Sequence, residues 1–215
     1  MSTTDQAVHT EMQHALVETV DAGVSYASGI WTVQEVADAL IRWQNRLLRE
    51  TGVVVSRTTL MLIPNTPRAV LPQAWMATRR VAWQRPTGAY VPLWRMSWQE
   101  ADTGRYSWAF NMSPTPYGYL EPEDVTPPLL LHFVPDAQDT GIPQLWYLAT
   151  GSVLSNTGVL FTVPDELVAT VKWGALSDLL RKEGRGYDPE RAGACEARYA
   201  EGRALAVLNL VGDAR

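Results

Sequence analysis

The apolar residues near the start of the chain follow a helical spacing. Four of them recur every four residues and predict a short helix within residues 1–30: Val8, Met12, Leu16 and Val20. A second helix is predicted to begin at Thr32, because Thr32 and Glu35 have the spacing of a capping box and Trp31 precedes it as part of a hydrophobic staple. Its apolar stripe is Val36, Leu40, Trp43 and Leu47. Gly52 is expected to end this helix in a left-handed conformation.

Between residues 53 and 163 the pattern changes to an alternation of apolar and polar residues, with Pro or Gly at nearly every break. This pattern is typical of β-strands joined by turns. The predicted strands are residues 58–63, 78–84, 91–98, 105–111, 129–134, 145–150 and 159–163. Five prolines fall within residues 113–128. We expect that stretch to be an extended loop, because proline cannot donate a hydrogen bond in a central strand.

Helical spacing returns after Pro164, a residue favoured in the first turn of a helix. The predicted buried stripe is Val168, Val171, Ala175 and Leu179. Gly184 follows the end of this helix, and Asp188 caps a last helix that runs towards Leu210. The inward positions of the last helix are small: Ala192, Cys195, Gly202 and Ala206. Small residues let a neighbouring helix approach closely, so the two helices are predicted to pack as a hairpin.

The predicted fold class is therefore α+β: a helical bundle, formed by the N-terminal helix and the C-terminal helical hairpin, with a large inserted antiparallel β domain. Residues 1–52 would be the N-terminal helical part of the bundle. Residues 53–163 would be the inserted β domain, including the Pro-rich loop 113–128. Residues 164–215 would be the hairpin that completes the bundle.

Composition excludes several classes of protein. The 215 residues carry a net charge of -5, which disfavours a dedicated nucleic-acid binder. A single cysteine and three histidines leave no internal disulfide and no ligand set for structural zinc, as is typical of proteins that fold in a reducing cytoplasm. No apolar run approaches the about 20 residues that cross a bilayer, and the first ten residues lack the pattern of a signal peptide. No membrane partner is expected.

The combinations of residues that usually carry catalysis are missing from the sequence. His9, Glu11 and His14 do not have the spacing of a zinc-protease helix. The Gly184-Arg185-Gly186 segment lacks the ending of a phosphate-binding loop, and His132 has no companion metal ligand. We therefore predict a protein that is not an enzyme and needs neither a cofactor nor a metal.

Charge is divided unevenly within the β region. Residues 53–98 contain six Arg and no acid, whereas residues 99–166 contain nine acids and only Arg105. The two halves either pair within the domain or attract neighbouring copies head to tail. Tryptophan and arginine, which cluster here, are also common anchors of protein interfaces, although they equally serve a β core, a base-stacking surface or a sugar site. The candidate subunit-interface residues are Arg79, Arg80, Arg85, Trp94, Trp98, Glu121, Glu123 and Asp124.

Several motifs lie at the two ends of the chain. Trp31-Thr32 opens the capped N-terminal helix, and Pro164-Asp165-Glu166-Leu167 opens the helix after the β region. Lys172-Trp173-Gly174-Ala175-Leu176 and Cys195-Glu196-Ala197-Arg198-Tyr199 follow in the hairpin. Over residues 31–52 and 162–206 these motifs resemble the head-to-tail adaptor proteins of tailed bacteriophages, which are also called neck, connector or tail-tubular proteins.

The resemblance implies a non-enzymatic structural protein of the virion that joins the portal vertex to the tail. It implies a homo-oligomeric ring of twelve copies, with the portal protein and a downstream tail or nozzle protein as partners. Genome DNA would pass through the channel without sequence-specific binding. The protein would be made in the bacterial host cytoplasm and reside in the virion. Two alternatives stay open: another phage structural component, such as a tail or baseplate protein, and a carbohydrate-binding β module that uses Trp94, Trp98 and Trp108.

Overall fold

The computed structural model describes residues 3–21, 25–63, 66–104, 112–113, 115–123, 126–137 and 141–212. Within them the protein is α+β, with five helices and a seven-stranded sheet, so the predicted class is confirmed. The chain divides into two compact units. The first, the helical unit, is Met1–Val54 with Thr150–Arg215, and the second, the sheet unit, is Val55–Ala149. The predicted strand 105–111 lies outside the described residues.

The helices are α1 (Asp5–Ala15), α2 (Val33–Thr51), α3 (Trp98–Gly104), α4 (Asp165–Leu180) and α5 (Pro189–Gly212). The described strands are β1 (Ser56–Thr59), β2 (Arg68–Val70), β3 (Trp75–Gln84), β4 (Tyr90–Met96), β5 (Met112–Ser113), β6 (Gly118–Leu120), β7 (Leu130–Val134), β8 (Asp136–Ala137) and β9 (Ile142–Ala149). Among the described residues, no helix combines the length and the apolar character needed to cross a bilayer.

The ends of α2 are as predicted. Thr32 Oγ1 accepts a hydrogen bond from the Glu35 N–H at 3.1 Å, and the Glu35 carboxylate accepts one from the Thr32 N–H at 2.9 Å. Gly52 has φ 65° and donates to the Leu48 carbonyl, which closes the last turn. The predicted stripe of α2 is buried. Helix α1 ends at Ala15, so Leu16 is its C-cap and Val20 lies beyond it. Leu16 is still buried, whereas Val20 is 42% exposed and the prediction is wrong there.

Helices α4 and α5 approach each other closely in the helical unit. A Cβ atom on Gly202 would lie 2.2 Å from Thr170 Oγ1, so α5 needs a glycine where it crosses α4. The predicted small positions Ala192, Cys195 and Ala206 are buried, as is the stripe of α4. Close packing along the small-residue face of α5 is therefore confirmed.

The strands of the large sheet lie in the order β1-β9-β3-β4-β6-β7-β2. Strands β4 and β6 pair in parallel, whereas the other pairs of this sheet are antiparallel. The prediction of an entirely antiparallel β domain is therefore wrong. Parallel neighbours need a crossover of a dozen or more residues, and the segment between Met96 and Gly118, which contains α3, is long enough.

Two predicted strand segments have a different structure. Trp98 does not end a strand but begins α3, because Ser97 and Glu100 form a second capping box with N–H to side-chain oxygen distances of 2.7 and 3.1 Å. Ser97 and Glu100 have the same spacing as Thr32 and Glu35 at the start of α2, so the start of α3 can be predicted from the sequence. Residues 159–163 are not a strand either; Leu160 makes only an isolated bridge to Thr4.

The Pro-rich stretch 113–128 is not a loop throughout. Strand β6 lies within it and occupies an interior place in the sheet, between β4 and β7. The prolines at positions 116 and 122 flank this strand, so none removes a hydrogen-bond donor from it. Tyr117, just before β6, donates its N–H to the Val134 carbonyl at 2.9 Å. The loop prediction is therefore wrong at Gly118–Leu120.

Candidate functional site

One face of the large sheet packs on the core of the sheet unit, and the other face is open over several strands. Val81, Leu93 and Leu145 belong to the core, so the adjacent residues of β3, β4 and β9 turn to the opposite side. The strand register places Trp146 beside both Arg57 and Arg80. We call this surface the Arg–Trp face and define it by Arg57, Arg80, Tyr90, Trp94 and Trp146.

Two guanidinium groups share one indole ring on the Arg–Trp face. The Arg57 Cζ atom lies 4.9 Å from the centroid of the Trp146 ring, and the Arg80 Cζ atom lies 5.3 Å from it. Arg57 also lies over the Tyr90 ring at 5.6 Å and donates to the Tyr90 hydroxyl at 3.0 Å. Such cation–π contacts hold the arginine side chains flat against the sheet.

A buried glutamine on the same side of the sheet supports this arrangement. Gln144 is only 6% exposed, and its Nε2 donates to Thr59 Oγ1 at 3.0 Å and to Gln84 Oε1 at 3.4 Å. Its Oε1 accepts a hydrogen bond from Arg57 Nη2 at 3.4 Å. This network joins β1, β9 and β3 and fixes the position of Arg57, because a buried amide needs its partners.

The predicted residues Arg79 and Arg80 are both exposed although they are consecutive in a strand. Thr78 pairs with Tyr147 and Arg80 pairs with Trp146, so Arg79 is an extra residue in a β-bulge. Regular alternation would have turned one of the two arginines towards the core, and the bulge removes that conflict. Arg85 is exposed in the turn between β3 and β4, where its N–H donates to the Ala89 carbonyl at 2.9 Å.

The remaining predicted residues divide between two places. Trp94 is 76% exposed on the Arg–Trp face. Trp98 is half-buried in α3, with its ring 5.0 Å from that of His132. A concave region of about 600 Å³, which we call the acidic notch, is lined by Arg95, Trp98, Glu100, Glu121 and Glu123 among others. Asp124 lies outside the described residues. The structure thus places Arg80 with Trp94 on the Arg–Trp face, and Glu121 and Glu123 with Trp98 in the acidic notch. Arg79 and Arg85 lie in the bulge and in the turn.

Sequence reasoning missed four residues of this region: Arg57, Tyr90, Gln144 and Trp146. The predicted strand 58–63 shares only Thr58 and Thr59 with β1, and the predicted strands 91–98 and 145–150 begin just after Tyr90 and Gln144. In the structure β1 pairs with β9, which lies more than 80 residues later in the chain. Nothing local in the sequence indicates that pairing. The available signal was compositional, since Arg57 is one of the six arginines of the basic stretch.

The basic and acidic stretches are scarcely paired with each other in the described residues. Arg95 and Glu121 form an ion pair at 2.6 Å. No other ion pair between described residues involves an arginine of the basic stretch, namely Arg57, Arg68, Arg79, Arg80 or Arg85. Among the described residues, Arg95 is therefore the one arginine of the basic stretch that forms an ion pair. The Arg–Trp face retains its positive charge.

Two side chains that could carry chemistry, those of Cys195 and His132, lie in packed positions. Cys195 is buried, and burial raises the pKa of its thiol. His132 is partly buried against Trp98, and burial, together with the nearby positive charge of Arg68, lowers its pKa. In the described part of the chain, no three His, Cys, Asp or Glu side chains are grouped so that they could hold a metal ion.

Comparison with known proteins adds a family assignment. The family model described as SU10 adaptor protein matches residues 10–215. A solved structure that is similar is the "Neck of empty GTA particle computed with C6 symmetry", with 14% identity over 93% of this chain and 92% of that chain, at a TM-score of 0.31. No curated protein matches. The family match spans both segments on which the resemblance to adaptor proteins was based, and confirms it.

Proposed function

The chain belongs to the SU10 adaptor protein family and is a structural head-to-tail adaptor of a phage particle, and we propose that it acts there as a ring of identical subunits. The family match over residues 10–215 carries this conclusion. It favours the adaptor over the alternatives of a tail or baseplate protein and of a carbohydrate-binding module. The ring contains twelve copies, as the resemblance implies.

The proposed role is mechanical rather than enzymatic. The helices at the two ends of the chain form a rigid bundle, and the sheet unit Val55–Ala149 is an inserted domain that reaches a neighbouring component. The portal protein binds on one side of the ring and a tail or nozzle protein on the other. Genome DNA passes through the channel without sequence-specific contacts. The protein is made in the host cytoplasm and is incorporated into the virion.

Exposed apolar side chains support assembly of the helical unit. Leu205 and Leu208 on α5 are 61% and 65% exposed, and Val17 and Val153 are 83% and 75% exposed. Single exposed apolar residues are ordinary, but Leu205 and Leu208 stand one turn apart on the same helix, near the exposed Val207. An assembly that covers this end of α5 removes apolar surface from water, and this burial stabilises the assembly.

The proposed function is tested by the mass of the purified protein in solution, measured by light scattering at several concentrations, alone and with portal rings of the same phage. We expect oligomers whose fraction rises with concentration, or their formation on the portal ring. Negative-stain images should show closed rings. A protein that stays monomeric and also does not bind portal rings would contradict the proposal.

Reversing the predicted arginines should weaken assembly. We expect the combined change Arg79→Glu, Arg80→Glu and Arg85→Glu to reduce the apparent association constant at least about tenfold, because like charges at an interface repel. The control is Arg185→Glu, an exposed arginine of the helical unit. Sedimentation at several concentrations measures the effect. Equal association of the triple variant and the wild type would exclude these arginines from the interface.

A further inference from the structure

We propose that the Arg–Trp face of one copy binds the acidic notch of a second copy, and that this contact repeats around the ring. The inference rests on the proposed ring and names the surfaces that form it. The two surfaces differ from each other and lie on the same chain, which is what a head-to-tail contact requires.

The Arg–Trp face lies on the part of the sheet that no described element covers. Over β6 and β7, helix α3 packs on the outward side, with Ala101 against Leu120 and Val134, and Trp98 against His132. Over β4 the outward residues remain accessible, as the 76% exposure of Trp94 and the 45% exposure of Tyr90 demonstrate. Tryptophan, tyrosine and arginine are the residue types that dominate binding energy at protein interfaces.

The arginines of this face are suited to bind carboxylate groups. Arg57 is held by Trp146, Tyr90 and Gln144, so little side-chain freedom is lost when it binds a partner. Each guanidinium group has five N–H donors, and carboxylates are the ligands that accept two of them at once. Neither Arg57 nor Arg80 has a carboxylate partner among the described residues.

The acidic notch supplies the complementary groups. Glu100 and Glu123 are exposed at its rim and form no ion pair with another described residue, whereas Glu121 is paired with Arg95. Met96 and Trp98 add apolar surface to the lining. Arg95 also lines the notch, but Glu121 pairs with it, so Glu100 and Glu123 give the notch an excess of negative charge. This charge is opposite to that of the Arg–Trp face.

A nucleic acid fits the same face less well. The chain has a net charge of -5, and residues 99–166 of the same sequence add nine acids against one arginine. A phosphate backbone longer than the face would also meet these acids, whereas the few carboxylates of a second copy can contact the arginines locally.

The test is a charge exchange between two full-length variants. The face variant carries Arg57→Glu and Arg80→Glu. The notch variant carries Glu123→Arg and Glu100→Gln; glutamine is chosen at position 100 because it preserves the capping box with Ser97. We expect each variant alone to associate at least tenfold more weakly than the wild type. An equimolar mixture should recover the wild-type oligomer with equal amounts of both, since every contact then joins opposite charges.

Recovery in the mixture also demonstrates that both variants are folded. Circular dichroism of each variant checks its fold. A third variant, Trp94→Ala, changes no charge and should weaken association by removing the exposed ring. The inference is overturned if either charge variant alone assembles like the wild type, or if folded variants fail to recover in the mixture.

The design separates this inference from the proposed function. If the wild type forms rings and the variants form them equally well, the proposed contact is wrong and the proposed adaptor ring still holds. A wild type that forms no oligomer, alone or on portal rings, would overturn both. Fluorescence anisotropy with a labelled DNA duplex provides the remaining outcome: DNA binding that is lost in the face variant, with assembly unchanged, would assign the face to nucleic acid instead.

Discussion

Replacing Asp5 by alanine is expected to reduce the free energy of unfolding of the helical unit by about 3–5 kcal/mol. Asp5 is fully buried at the start of α1, and its carboxylate accepts four backbone hydrogen bonds from the loop that precedes α4. The donors are the N–H groups of Ser155, Thr157, Gly158 and Val159, at 3.0, 3.3, 2.8 and 2.9 Å. Alanine would leave these donors without their acceptor, and α1 would lose its attachment to the loop.

The same carboxylate should make stability depend on pH. Burial by itself raises the pKa of Asp5, but the backbone hydrogen bonds from Ser155, Gly158 and Thr157 outweigh burial and lower the pKa below its ordinary value. A pKa that is lower in the folded than in the unfolded state stabilises the fold above the unfolded value, about 4. That contribution is lost as the pH falls through the folded pKa. The difference in stability between wild type and Asp5→Ala should therefore be constant at neutral pH and shrink below about pH 4.

Urea unfolding followed by circular dichroism, at neutral pH and in steps towards acid, measures both effects. The control is Asp165→Ala: Asp165 is an exposed acid that accepts one backbone hydrogen bond, from Thr3 at 2.8 Å. Its loss should cost less than about 1 kcal/mol. If the two variants lose the same stability, the Asp5 carboxylate does not hold the loop.

Replacing Gly174 by alanine is expected to destabilise the helical unit by about 3 kcal/mol. A Cβ atom at this position of α4 would lie 2.3 and 2.4 Å from ring atoms of Trp43 on α2. Trp43 cannot easily move, because the centroid of the Tyr199 ring and the Arg46 Cζ atom each lie 4.5 Å from the centroid of its ring. The expected overpacking exceeds the about 1 kcal/mol that alanine gains over glycine in a helix.

Gly193 provides a matched control for Gly174. It lies within α5, it is exposed, and a Cβ atom there would meet nothing within 4 Å. Gly193→Ala should therefore stabilise the protein by about 0.5–1 kcal/mol through helix propensity alone. Thermal unfolding of both variants gives the comparison. A change of the same sign in the two would mean that the contact with Trp43 does not constrain position 174.

Features that depend on residues a few positions apart could be predicted from the sequence, whereas features that depend on distant residues could not. Helix α2 was predicted at both ends because its signals, the Thr32–Glu35 capping box and Gly52, act over a few residues of chain. The helix that begins at Trp98 has the same kind of signal and was predictable. Strand β6 was not, because its place between β4 and β7 depends on partners elsewhere in the sequence.

The candidate surface shows the same division. Local patterns in the sequence are enough to predict the class of the fold and the caps and buried stripes of the long helices. They also include the concentration of arginine and tryptophan in the β region and the motifs that point to adaptor proteins. Which of those side chains meet depends on how the chain folds. Pairing of β1 with β9 brought Arg57 to Trp146, and the bulge at Arg79 turned two consecutive arginines outward. Strand register and bulges are set by contacts between distant segments, and these leave no local pattern in the sequence.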